Sequence, residues 1–493
     1  MKIILDTNIL IHVEDPKVLP PNLQNLMKIL REHGYQTFIH PASLRDIEND
    51  LNEQRKEITL SKLRGYPPIE SPPKPTKNFL SIMGPSTSSN EINDNEILFA
   101  IHKNAANFLI TEDKGLHKKA SKIDLEDRVL SIDSALGYFN ELYARIVPTH
   151  ALIKEDFLHN LDIEDPFFDS LKKDYVDSEF RKWFNEKSIE GRKCWVFHED
   201  NCIKALLILK EENELIKTSP PIPASRRLKI ATLKSDLSGF KLGELFLKIA
   251  FQYCIANQIF EIYLTHFRKE EDALINLIES YGFERAGFLK KTNEEVLIKT
   301  LIPIENKLDA LDISKKYYPS FKDSPDIKKF LIPIIPEYHD RLFPDFKQRQ
   351  MRITEYSEMN IPGNAIRKAY LSGSSIKKMR AGDLLLFYRS HDLKAVTAIG
   401  VVDQAPVHSI EADEVVGIVG KRSVYLYDEI KKMTHKPVLI TMFRHHLFLP
   451  KPLDLRYLRQ HSIPVPQSII ELNHKQYMAI KNGGELDERF TVS

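Results

Sequence analysis

Three apolar residues near the start of the chain, Ile3, Ile4 and Leu5, constrain the fold more than any other stretch. The run is too short for a helix and polar residues bound it at once, which predicts a buried strand of a parallel sheet. It ends in Asp6-Thr7-Asn8, and ligand-binding groups collect at the carboxyl ends of strands in open α/β sheets. A carboxylate placed there can hold a hard divalent cation through oxygen, and Asn8 adds an oxygen or an amide donor. Asp6 serves equally well as the cap of the helix that follows. Ile3 to Asn8 alone leave both readings open.

At 493 residues the chain exceeds one ordinary core, and about three domains are expected. Its 42% apolar and 28% charged residues are those of a folded globular protein rather than a disordered one. A net charge of +1 means that any surface for nucleic acid must be local. Cys194, Cys202 and Cys254 show neither metal spacing nor a disulfide framework, which fits a reducing cytosol. No apolar run reaches membrane-spanning length, and Met1 leads into a strand rather than a signal core. The expectation is a cytoplasmic protein with no membrane partner.

The first domain is expected over 1–148. Leu23 to Arg31 is helical in pattern, and Thr37-Phe38-Ile39 is a second strand. Pro41, followed by Leu44 and Ile47, opens a helix that carries Asp46. A stretch rich in Pro, Ser and Lys from Tyr66 to Asn90 reads as a long loop. Asp94 and Glu96 open the next helix, where the macrodipole favours negative charge. Phe108-Leu109-Ile110 is a strand ending in Thr111-Glu112-Asp113, and Val129 to Ile132 is a last strand. Acids thus stand at two strand ends and two helix starts, and crowded carboxylates repel unless a cation neutralises them.

This pattern resembles the PIN-domain ribonucleases. The resemblance implies a catalytic set of Asp6, Asp46, Asp94 and Asp113, with magnesium or manganese on Asp6, Asp94 and Asp113. Asn8, Glu96 and Thr111 would be supporting groups. In that family the metal polarises a phosphodiester oxygen and lowers the pKa of an attacking water. The second acid is Asp46 where Glu is commoner, and Glu48 or Asp50 could take its place. His12 and His117, close to these motifs, read as surface or core histidines.

A second domain is expected over 149–304. Cys194 to Phe197 and Ala205 to Leu209 form a hairpin pattern, and Leu228 to Leu233 alternates as a strand. A helix runs from about Leu242 to Asn257, then a strand over Glu261–Thr265 and a helix over Asp272–Ser280 before Gly282-Phe283. This order resembles the GNAT N-acetyltransferases. In that family a glycine-rich turn at a helix N-terminus cradles the pyrophosphate of acetyl-CoA, which points to Gly239, Lys241 and Gly243. Only the last glycine of the family's motif is kept, and Ile278 stands where the family often has an acid-catalytic tyrosine.

Residues 305–360, rich in Pro, Tyr and charge, read as a connector with short helices. In the last domain, 361–493, Asn364 to Leu371 reads as a helix, and Leu384–Arg389, Ala395–Val402 and Leu439–Phe443 read as strands. This stretch resembles the PUA-like barrels of the ASCH and EVE type, which bind RNA or modified bases. Arg367, Lys368, Lys377, Lys378 and Arg380 could neutralise phosphates, and Tyr388 or Phe443 could stack on a base. An equal alternative is a solvated basic face over core aromatics.

The fold class expected is therefore multidomain α/β: a PIN-like parallel sheet with helices, a GNAT-like mixed sheet and a PUA-like β-barrel. Together the resemblances imply a metal-dependent RNA endonuclease with an acetyl-CoA-binding domain and an RNA-selecting domain. Such an enzyme could be a toxin or stress effector, although no antitoxin or other inhibitor is visible in the sequence. An N-acetyltransferase of RNA or protein, using the outer domains to bind substrate, is the alternative. A non-catalytic RNA-binding regulator is the third.

Overall fold

In the computed structural model Lys2–Leu5 forms strand β1, with Ile3, Ile4 and Leu5 fully buried. The structure describes residues 1–14, 20–48, 53–63, 65–86, 88–143, 152–199, 202–236, 242–268, 272–304, 307–346, 359–360 and 365–493. They make a multidomain mixed α/β protein with several sheets. The chain divides into two compact units. One is Met1–Pro148 with Ser238–Phe240 and His408–Ile440, and the other is Thr149–Leu237 with Lys241–Val407 and Thr441–Ser493. Among the described residues no helix is long and apolar enough to cross a membrane.

In the first unit, α1 (Thr7–Glu14) and α2 (Pro21–Glu32) lead from β1 to β2 (Gln36–Phe38). Helices α3 (Pro41–Glu48), α4 (Glu53–Leu63), α5 (Lys77–Met83) and α6 (Ser89–His102) follow before β3 (Phe108–Ile110). Then come α7 (Lys114–Ser121), β4 (Val129–Leu130) and α8 (Ile132–Tyr143). The strand order is β2-β1-β3-β4 and the pairings are parallel, so each strand is reached through a helical crossover. The chain leaves β1 for β2 on one side and later returns to β3 on the other. That reversal puts the topological switch point at the carboxyl ends of β1 and β3.

Two local expectations change. The Pro- and Ser-rich stretch contains α5, because the Thr76 hydroxyl accepts the Phe79 N–H at 3.3 Å and caps it. Helix α6 starts five residues before Asp94, since Ser88 caps it by accepting the Glu91 N–H at 3.2 Å. Asp94 and Glu96 therefore lie beyond the first turn, not at the helix start. Residues of His408–Ile440 pack in this unit: the Met1 ammonium donates to Asp413 at 2.7 Å and Arg422 to buried Asp127 at 2.6 Å.

The second unit opens with β5 (Leu152–Phe157), α9 (Asp169–Tyr175), α10 (Asp177–Ile189), β6 (Lys193–Glu199), β7 (Cys202–Glu212) and β8 (Arg227–Ser235). After α11 (Leu242–Asn257) come β9 (Glu261–His266), α12 (Ala273–Glu279), β10 (Glu284–Phe288) and β11 (Glu295–Thr300). Next are α13 (Ala310–Lys316), β12 (Phe321–Lys322), β13 (Lys329–Ile334), α14 (Pro336–Leu342) and β14 (Met359–Asn360). The first sheet has the order β10-β11-β9-β8-β7-β6-β5-β14. Its pairings are antiparallel except β8 with β9, the pair joined by the α11 crossover.

The remaining strands are β15 (Arg367–Ser372), β16 (Leu384–Arg389), β17 (Ala395–Val402), β18 (Val407–Ser409), β19 (Val438–Asp454), β20 (Ile470–Leu472) and β21 (Thr491–Val492). Six strands of a seven-stranded sheet follow the order β15-β19-β17-β16-β13-β20. The stretch read as a connector thus supplies an inner strand: the apolar β13 lies between β16 and β20, with Phe330, Leu331 and Ile332 fully buried. The helix expected at Asn364–Leu371 is instead strand β15, whose side chains are buried up to Leu371. Strand pairing has overridden local helical propensity there.

Candidate functional site

At the carboxyl end of β1, Asp6 is tied to the neighbouring strand end. Its N–H donates to the Ile110 carbonyl at 3.0 Å. One carboxylate oxygen accepts the Thr7 N–H at 2.8 Å and the other the Thr111 hydroxyl at 2.5 Å. Thr111, fully buried, also accepts the Asp113 N–H at 3.0 Å and the Asn8 side-chain amide at 3.4 Å. Burial raises the proton affinity of Asp6 above the usual carboxylate range; hydrogen bonds from Thr111 and Thr7 oppose this, and the charges of Asp113 and Asp94 add to it. Three of the expected acids are therefore electrostatic neighbours.

Each has nevertheless found its own partner. Asp94 pairs with Lys119 at 2.9 Å, and Glu96 with Arg45 at 2.6 Å. Exposed Asp113 caps α7 by accepting the Leu116 N–H at 3.0 Å. Asp46 lies on α3, but its side chain, like that of His12, falls outside the described residues. A magnesium ion needs several oxygens converging at short range. Among the described residues no group of three or more His, Cys, Asp or Glu side chains could hold a metal. The described donors therefore do not fit the expected magnesium or manganese ion. His117 Nε2 lies 2.9 Å from the Thr111 carbonyl, and burial lowers the pKa of its ring. Burial likewise brings His40 down to about 4. Both are neutral at pH 7 and structural in setting.

The second strand-end region differs in shape. Strands β8 and β9 pair only from Arg227↔Glu261 to Ile230↔Leu264. Beyond that point β8 continues to Ser235 against β7, and β9 continues to His266 against β11. The sheet opens there, and a cavity of about 380 Å3 fills the gap. Its lining includes Ala231 to Lys234 of β8, Thr265 and His266 of β9, Tyr175 of α9, Trp183 of α10, and Glu294.

Buried Glu294 accepts hydroxyls from Tyr175 at 2.9 Å, Thr265 at 3.0 Å and Thr292 at 2.7 Å. Burial first, and then Glu294, raise the Tyr175 phenol, so it stays protonated. His266 Nε2 lies 2.6 Å from Asp272 Oδ2. The other Asp272 oxygen accepts the Leu274 and Ile275 N–H groups at 3.1 and 3.2 Å and caps α12. The cap was visible in the sequence as an Asp before an apolar run. The His266 and Glu294 contacts were not, because they join residues from separate strands and loops.

Gly239 and Lys241 lie outside the described residues. Gly243 is in the first turn of α11, where a Cβ would come within 2.6 Å of Leu277 Cδ2. Close packing of α11 on α12 accounts for this glycine without a phosphate. Ile278 is fully buried on α12.

The basic residues expected on one nucleic-acid surface separate. Arg367 is buried and pairs with Asp403 at 2.8 Å, and Lys368 is buried with its ammonium 5.7 Å from the Phe343 ring centre. Tyr388 belongs to the core that includes Leu386 and Val396, and Phe443 is fully buried. These four cannot reach a ligand in solvent as placed. Lys377, Lys378 and Arg380 are exposed, Lys378 lying 3.8 Å from Glu471.

No protein-family model matches the chain, and no curated protein does. Solved structures similar to parts of it include ASCH from Zymomonas mobilis, at 12% identity and TM-score 0.25, over 32% of this chain and 96% of that one. Aminoglycoside 6'-acetyltransferase type Ii is similar at 13% identity and TM-score 0.20, over 31% of this chain and 99% of that one. An acetyltransferase of the GNAT family from Bacillus cereus ATCC 10987 is similar at 14% identity and TM-score 0.18, over 30% of this chain and 96% of that one. At such TM-scores these likenesses settle neither fold nor chemistry.

Proposed function

We propose that this protein is an N-acetyltransferase that uses acetyl-CoA in the cleft between β8 and β9. The observation that carries this reading is the early end of the one parallel pairing in the first sheet of the second unit. Past Ile230 the inner edge of β8 faces a cavity instead of a strand, so its backbone groups are available to an extended, amide-bearing arm. The crossover helix α11 follows β8 in the chain, and the N-terminus of a helix suits the pyrophosphate of the same molecule. The acceptor is an amine of a protein or an RNA, and exposed Lys377, Lys378 and Arg380 supply local positive charge for the latter. Calorimetry with acetyl-CoA tests the cleft. The parent should bind, and Thr232→Trp, which fills the gap, should abolish the heat while leaving the thermal midpoint nearly unchanged. A parent that shows no heat and no thermal shift refutes the reading.

One observation favours a second reading, RNA cleavage at the N-terminal acids. Asp6 sits at a switch point beside the charges of Asp94 and Asp113, although the described donors do not by themselves make a metal site. RNA cleavage that requires magnesium or manganese and is lost in Asp6→Asn would support it. Equal cleavage by parent and variant would remove it.

A further inference from the structure

Five groups lining the cleft could take a proton during acyl transfer: Asp174 and Glu179 are exposed on α9 and α10, whereas Tyr175, His266 and Glu294 lie deeper, and hydrogen bonds separate these last three. Glu294 already accepts three hydroxyls. Tyr175 spends its own proton on Glu294 and is held in the neutral form. Of these three, only His266 keeps an acceptor atom without a partner among the described residues. An ionised carboxylate only accepts, so at 2.6 Å from Asp272 Oδ2 it is Nε2 that carries the hydrogen. In its neutral form the ring presents Nδ1 as a bare acceptor, and Nδ1 has no partner among the described residues. Asp272 is itself fixed by capping α12, so the ring is held from a rigid element.

We infer that His266 is the proton acceptor of acyl transfer in the β8–β9 cleft and that Asp272 is its positioning residue. The inference rests on the acetyltransferase reading. The acceptor amine nitrogen bonds to the thioester carbonyl carbon as His266 Nδ1 takes one N–H proton. The tetrahedral centre then collapses, the carbon–sulfur bond breaks, and the leaving thiolate takes the proton back from the imidazolium. The products are the amide and free CoA, and His266 returns to its starting tautomer. Acid chemistry therefore does not depend on the tyrosine position that Ile278 occupies.

Bromoacetyl-CoA tests this without knowledge of the acceptor. Its bromomethyl carbon lies beside the thioester carbonyl, so a nucleophilic nitrogen there displaces bromide and forms a stable nitrogen–carbon bond. Peptide mass mapping of the full-length protein should find the added group on His266 and on no other histidine. Excess acetyl-CoA should protect it. His266→Gln should lose the label while still binding acetyl-CoA by calorimetry. Asp272→Asn keeps a capping side chain but loses the charge that sets the tautomer, and labelling should slow at least about tenfold. Acetyl-CoA binding with the label elsewhere, or with no label, overturns the role of His266. A label on His266 at an unchanged rate in Asp272→Asn overturns the pairing. Absence of acetyl-CoA binding in the parent instead refutes the cleft reading itself.

Discussion

Two regions of this protein place polar residues at the carboxyl ends of adjacent parallel strands, and they resolve that placement in opposite ways. At β1 and β3 the strands stay paired to their ends, and the acids are consumed internally. Asp6 binds Thr111, Asp94 binds Lys119, and Asp113 caps a helix. At β8 and β9 the strands separate after Leu264, and a cavity lined by hydrogen-bonding groups remains. A strand end becomes a site when it leaves both space and unspent hydrogen-bonding capacity. In the first region the described acids already have partners; the second keeps a cavity and an unpartnered acceptor.

The largest test of that contrast is Thr111→Val, which removes one hydroxyl at constant shape. Asp6 Oδ2 and the Asp113 N–H would each lose a hydrogen-bond partner. The first unit should lose about 2–3 kcal/mol, read as faster hydrogen exchange in β1 and β3. Unchanged exchange would mean that these acids are satisfied from elsewhere.

A smaller effect is expected from Asp6→Asn, and its sign follows from linkage. The folded state raises the proton affinity of Asp6, so it holds that proton to higher pH than the unfolded chain. Its contribution is fully present below about pH 4, the ordinary aspartate range, and is lost as pH rises through the raised value. Asp6→Asn should therefore raise the thermal midpoint at neutral pH and lose this advantage on acidification below the ordinary range. A variant less stable than the parent at neutral pH would show that the carboxylate's hydrogen bonds outweigh its burial and repulsion.

The smallest effect belongs to the cleft. Gly243→Ala puts a Cβ against the flexible end of Leu277 while gaining helix propensity, so the two nearly cancel to within about 1 kcal/mol. Acetyl-CoA affinity should stay the same. A tenfold loss of affinity with unchanged stability would return Gly243 to a phosphate-binding role.

The strand at Ile3–Leu5, the helix at Leu242–Asn257 and the strands at Leu228 and Glu261 were legible because periodicity and strand-bounding residues are local properties. The helix start at Ser88 was missed although Ser88 itself is a capping residue, because the run of Pro and Ser around it suggested a loop. Strand β15 and inner strand β13 were also missed. A strand's hydrogen bonds lie with distant partners, and neither Arg367–Ser372 nor the proline-bearing Lys329–Ile334 reveals those partners locally.

By itself the sequence determined which segments are apolar and periodic, and which strand ends and helix starts carry acids, basic residues and glycines. Tertiary structure decided what those groups face. It turned Arg367 and Tyr388 inward, gave Asp94 to Lys119, and pressed Gly243 against Leu277. It also placed His266 on Asp272 beside a gap that no residue spacing announces. Residue type sets what a group can donate or accept, but only packing decides whether that capacity is already spent.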